Sequence, residues 1–194
     1  MPKGTVSPEI RQDFLPYAER LECRGTDTIR LVVIHCTELP DLALARVWGE
    51  KVLYPETQTG NSGHFYINRD GHIEQWVALD RIAHHVSGFN PQSIGIELIN
   101  NGRYPDWFHS GRQHMSEPYP EQQIEALVKL VNQLCEQCPG LVNVAGHADL
   151  DTRMIPSEDA PGTMIRRKLD PGPLFPWAAF SKRIPLHRCG TESP

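Results

Sequence analysis

The sequence predicts an α/β fold, a single domain with a central mixed β-sheet flanked by helices. Three observations carry that reading. Short β-branched apolar runs alternate with stretches of helical periodicity, the pattern of strands joined by covering helices. One pair of predicted strands is joined by an Asp-Gly turn, which adds an antiparallel pair and makes the sheet mixed. The chain has 194 residues, 39% hydrophobic and 22% charged, enough for one domain of ordinary size.

Taken in order, residues 1–28 read as an N-terminal extension, 29–182 as the folded domain and 183–194 as a tail without regular structure. The run 29–36 is apolar and β-branched, a buried strand. Asp41 is placed to N-cap a helix over 42–53. Residues 64–68, the turn Arg69-Asp70-Gly71 and residues 72–77 form a hairpin, and 93–99 (SIGIELI) is another central strand. Over 120–138, Ile124, Leu127, Val128, Val131, Leu134 and Cys135 recur at helical spacing, and Pro139-Gly140 ends the helix. A short strand at 143–148 and a short helix at 176–182 complete the set. Two stretches, 102–118 and 151–167, have no periodicity, and loops that long inside a domain are usually functional.

Composition excludes several classes. A net charge of −5 argues against nucleic acid, whose phosphates want a basic face. The longest apolar runs, such as LVVI, fall far short of the roughly 20 residues of a membrane span. The N-terminal MPKGTVSPEIRQDF has no apolar core of a secretory signal, so the expected location is the cytoplasm, or the periplasm or exterior by another route. Five cysteines are too few for a disulfide scaffold, and Cys135 and Cys138 read as a core and a helix-end cysteine rather than a zinc or redox pair.

Chemistry concentrates at three places. His35 ends the first buried strand in VVIHCTE, His147 ends a later one in VAGHADLD, and Asp170 lies in KLDPGPLFPW, where prolines and a glycine fix the backbone. Two histidines and a carboxylate are a ligand set that a catalytic zinc uses, with the fourth position left to water. Their spacing is too dispersed to identify a metal site by arithmetic. From the residues alone, a zinc site and three separately structural side chains both stand.

VVIHCTE, SGHFYINRDGHIEQWV, SIGIELIN, VAGHADLD and RRKLDPGPLFPW occur in an order that resembles the zinc-dependent N-acetylmuramoyl-L-alanine amidases, in particular the AmpD-like group related to peptidoglycan recognition proteins. The resemblance covers about residues 29–180. It implies that His35, His147 and Asp170 bind one Zn²⁺ at an edge of the sheet, with Glu97 the catalytic glutamate and Lys168 the catalytic lysine. It implies hydrolysis of the amide between N-acetylmuramic acid, or its anhydro form, and L-alanine of peptidoglycan fragments, by a monomer in the default expectation. The alternative is a non-catalytic peptidoglycan-binding module of the same fold; such modules lose zinc ligands, and all three are present here. His85 is expected as a substrate contact, Trp107 and Phe108 as aromatic loop residues that stack on substrate, and His64 as structural. His147 and Asp170 are 23 residues apart, more than in compact members, so 154–165 reads as an inserted loop.

Overall fold

Side-chain parity along the central strands decides what each face of the sheet does. In the computed structural model, which describes residues 8–190, β2 (Leu31–Cys36) lies between β5 (Ser93–Leu98) and β6 (Asn143–Gly146), parallel to both. Successive strand residues point to opposite faces. Val32, Ile34, Ile94, Ile96 and Val144 therefore share one face, and Leu31, Val33, His35, Gly95 and Glu97 share the other. The first face packs on α2 (Glu121–Gln137) through its buried Leu127, Leu130, Val131 and Leu134. Burying each such side chain stabilises the fold by roughly 1.5–3 kcal/mol, so this layer is the main store of stability. It leaves the opposite face free to carry polar groups.

The remaining strands extend the sheet. β3 (Phe65–Ile67) runs parallel to β5 and pairs antiparallel with β4 (Ile73–Gln75) through the Asp70-Gly71 turn. Gly71 sits at φ 88, a conformation that favours glycine. With β1 (Ile10–Gln12) and β9 (His187–Arg188) outermost, the order is β1-β4-β3-β5-β2-β6-β9. Every neighbouring pair is parallel except β3 with β4, which makes the sheet mixed, as expected. Helix α1 (Leu42–Gly49) begins where Asp41 accepts a hydrogen bond from the Leu44 N–H at 2.7 Å. It stops before 53 because the N–H groups of Leu53 and Tyr54 turn to the Thr59 carbonyl, each at 2.9 Å. Cys138 is buried at the end of α2 and Cys135 partly so; burial pushes both thiols up, as for inert core cysteines. Among the described residues no helix is long and apolar enough to cross a membrane.

Three expectations change. The strand expected over 143–148 ends at Gly146, and His147 opens the short helix α3 (His147–Leu150), because the Gly146 N–H donates to the Asp149 carboxylate at 2.9 Å and bends the chain. The stretch 151–167 is not structureless: β7 (Met154–Pro156) and β8 (Met164–Arg166) form a hairpin outside the main sheet, with Ile155 opposite a buried Ile165. Residues 1–28 and 183–194, expected outside the folded domain, each contribute an edge strand in their described part; residues 1–7 and 191–194 lie outside the described residues. Strands of two or three residues are too short to show a period. Helix α4 (Trp177–Ser181) lies where expected.

Candidate active site

Register brings the first two groups together. His35 on β2 and Glu97 on β5 are direct partners in the parallel ladder, and Tyr66 on β3 is the next partner in the same row. All three belong to the face away from α2. His147 arrives from the N-terminus of α3, immediately beyond β6. Asp170 arrives on the segment preceding α4, tied to α3 by the Ala148 N–H donating to its carbonyl at 2.9 Å.

The Asp170 Oδ2 lies 3.1 Å from His35 Nδ1 and 3.2 Å from His147 Nδ1. One ligand atom from each of the three residues falls within 4.8 Å of the others, and all three residues are buried. Asp170 Oδ1 is buried and has no hydrogen-bond partner among the described residues. An orphaned buried carboxylate oxygen is costly unless something outside the protein satisfies it. Burial works to raise the Asp170 carboxyl, but the neighbouring His147 above all, with Lys168, outweighs it and holds it well below the usual carboxylate range. Burial pushes His35 down to about 4 against the pull of Asp170, so its imidazole is neutral at physiological pH. A neutral His35 and an ionised Asp170 are protonation states that metal ligation needs.

These groups form the floor of a cleft of about 650 Å³. Glu97, Lys168, His85, Trp107 and Phe108 line it together with His35, His147 and Asp170, so all eight residues singled out from the sequence face one cavity. Burial, aided by Asp170 and opposed by Lys168, raises the Glu97 carboxyl to about 8, and a cation held by His35, His147 and Asp170 would favour the ionised form that can act as a base. Gly63 makes room for that side chain, since a Cβ there would lie 2.9 Å from Glu97 Cγ. His85 lines the wall, but both its ring nitrogens are engaged within the protein, with His35 Nε2 at 3.0 Å and Ser93 Oγ at 3.1 Å. His64 is structural: it is fully buried, its Nδ1 accepts from the Gly95 N–H at 3.1 Å, and Nε2 faces the Arg81 carbonyl at 3.1 Å.

Two contacts that the sequence reading missed organise the walls. Glu38, just past β2, forms a two-pronged ion pair with Arg103, at 2.6 and 2.8 Å, with side chains 7% and 1% exposed. Arg103 also donates to the carbonyls of Arg166 and Arg167, each at 3.3 Å, so one guanidinium joins the strand carrying His35, the 102–118 loop and the approach to Lys168. The tip of the β7–β8 hairpin is fastened to the same loop: Asp159 accepts from the Ser110 N–H at 2.6 Å and its hydroxyl at 2.7 Å. The Glu158 N–H donates to the Phe108 carbonyl at 3.0 Å. Neither contact leaves a motif in the sequence, because both join segments remote in the chain. The aromatic Trp48 and Tyr54 also line the cleft without having been singled out; only their aromatic character could have drawn attention.

A mixed α/β sheet whose strand ends bring two histidines, an aspartate and a half-buried glutamate to one cleft fits the amidase class of α/β proteins. Residues 25–173 match the N-acetylmuramoyl-L-alanine amidase family, and the chain belongs to that family. It is 30% identical over 198 residues to the 1,6-anhydro-N-acetylmuramyl-L-alanine amidase AmpD of Escherichia coli K12, a match covering 88% of this chain and 94% of that one. It is similar to a crystal structure of a selenomethionine AmpD derivative, with 26% identity and a TM-score of 0.61 over 91% of this chain and 94% of that one. It is also similar to E. coli AmiD in complex with anhydro-N-acetylmuramic acid-L-Ala-D-gamma-Glu-L-Lys, with 25% identity and a TM-score of 0.59 over 80% of this chain and 57% of that one.

Proposed function

We propose that the protein is a zinc-dependent N-acetylmuramoyl-L-alanine amidase that hydrolyses the amide joining N-acetylmuramic acid, or its anhydro form, to L-alanine in peptidoglycan fragments. One observation carries this reading: His35, His147 and Asp170 converge within 4.8 Å at the base of a cleft, beside Glu97. The donor set fits zinc, and a cation there would satisfy the Asp170 carboxylate, whose Oδ1 has no partner among the described residues. When bound, zinc would lower the pKa of a coordinated water toward about 7 and polarise a carbonyl.

The remaining roles fall to the chain itself. His35, His147 and Asp170 hold the metal. Glu97 is the group beside it on the same sheet face, with His35 Nδ1 3.9 Å from its carboxylate, and it takes the proton of the attacking water and returns one to the departing amine. Lys168, which lines the same cleft, stabilises the oxygen on which negative charge develops. Trp107 and Phe108 line the cleft and would border the substrate. Zinc-loaded protein incubated with purified anhydromuropeptide should release free stem peptide by mass spectrometry, chelation should abolish the release, and added zinc should restore it. Zinc-loaded, folded protein that releases no peptide from any muropeptide would end this reading.

A further inference from the structure

We propose that His85 and Ser93 form a positioning relay that fixes the tautomer of His35, so that its Nδ1 presents a lone pair to the metal. The proposal rests on the metal reading of His35, His147 and Asp170 given above.

Proton accounting starts at the far end of the chain of contacts. The Ser93 hydroxyl lies 2.8 Å from the Phe89 carbonyl, which can only accept, so the hydroxyl donates there. Its oxygen is then the acceptor for His85 Nε2–H at 3.1 Å. A neutral imidazole carries one proton, so His85 Nδ1 is bare and accepts from His35 Nε2–H at 3.0 Å. That leaves His35 Nδ1 without a proton, 3.1 Å from Asp170 Oδ2. Two acceptors at that distance repel, and a cation beside them removes the repulsion. The reverse polarity would need the Ser93 proton at His85 and would leave the Phe89 carbonyl facing a bare oxygen. The relay and the metal site thus require each other.

The surroundings hold the His85 ring in this place. A Cβ on Gly95 would lie 2.6 Å from the ring, so the ring lies against the backbone of β5 only because residue 95 has no side chain. Asn90 Oδ1 accepts from the backbone N–H of His85 at 3.1 Å and of Val86 at 2.8 Å, fixing the segment that carries the ring. Ser93 is fully buried. A substrate contact through a ring nitrogen, the role expected from the sequence, would have to break one of these bonds.

The test measures zinc affinity by chelator competition in wild type, His85→Phe, His85→Gln and Ser93→Ala. His85→Phe keeps an aromatic ring but accepts nothing, and its affinity should fall about 10–100-fold, the usual effect of losing a partner of a metal-bound histidine. His85→Gln, whose Oε1 can accept from His35 Nε2–H, should recover most of it, with Ser93→Ala between. Nitrogen-15 NMR of the zinc-loaded wild type should find His35 and His85 both protonated at Nε2. A folded His85→Phe with wild-type zinc affinity, or His35 protonated at Nδ1, would overturn the relay. If His85→Phe does not fold, the wild-type tautomers and the Gln variant decide. A wild type that binds no zinc overturns both relay and metal site. Zinc binding with the expected tautomers but no muropeptide cleavage sinks the amidase reading and leaves the relay standing.

Discussion

Glu97 makes no hydrogen bond to another side chain among the described residues, and its nearest charged neighbours are the groups at the cleft floor. A carboxylate so placed contributes little to holding the fold, so its removal separates chemistry from structure. Glu97→Gln should keep zinc and lower kcat by at least about 10²-fold, the usual scale for losing a general acid–base group. Lys168→Ala should also keep zinc and lower kcat by about 10²–10³-fold, as for a lost oxyanion donor. Near-wild-type turnover in either variant reassigns that residue. At this scale much of the site was legible, because His35, Glu97, His147, Lys168 and Asp170 each sit in a local motif. What could not be read was the use to which a side chain is put. His85 was visible as a histidine near the cleft, but the direction of its hydrogen bonds depends on Ser93 and on the empty space over Gly95.

The walls of the cleft are elements rather than single residues, and they are fastened to each other. Asp159→Ala removes two hydrogen bonds that hold the β7–β8 hairpin to Ser110. It should raise KM for muropeptide while leaving zinc content and the far-ultraviolet spectrum unchanged; an unchanged KM would show that the hairpin does not shape the wall. Replacing Trp107 and Phe108 by Ala should change KM or fragment preference in the same way. Arg103→Ala is harsher, because it leaves Glu38 buried and unpaired. Such a loss costs about 3–5 kcal/mol, and a fall in Tm with lower zinc occupancy is the expected result. The long elements were legible because they repeat a period: α2 offers 17 residues of helical spacing, and β2 and β5 are apolar runs. The hairpin was not, since its three-residue strands include Pro156 and show no alternation. His147 was placed on a strand because the bend at Gly146 comes from an Asp149 contact that no propensity reveals.

For the whole molecule, stability should depend on pH through His64. Its imidazole is fully buried, and burial, reinforced by Arg24, lowers it to about 3. The unfolded chain takes up that proton near about 6.5, so between those values the unfolded state binds more protons and stability falls as pH falls. From pH 7 to 4.5 this one group should remove on the order of 2 kcal/mol. Urea midpoints at the two pH values should differ less in His64→Gln than in wild type; an equal difference would assign the acid sensitivity elsewhere. The sheet's overall order was beyond the sequence, because its outer strands are two or three residues long and join segments from opposite ends of the chain. The ladder between His35 and Glu97 has another bearing on how the molecule works. Adjacent strands are spaced about 4.7–4.9 Å apart by backbone hydrogen bonds, so the sheet itself acts as the ruler between the proposed metal ligand and the proposed base. A slip of one residue would turn Glu97 to the opposite face, among the side chains packed on α2. No half-assembled sheet can keep that spacing, so catalysis is a gauge of the intact ladder, and loss of turnover in urea should coincide with loss of strand structure rather than precede it.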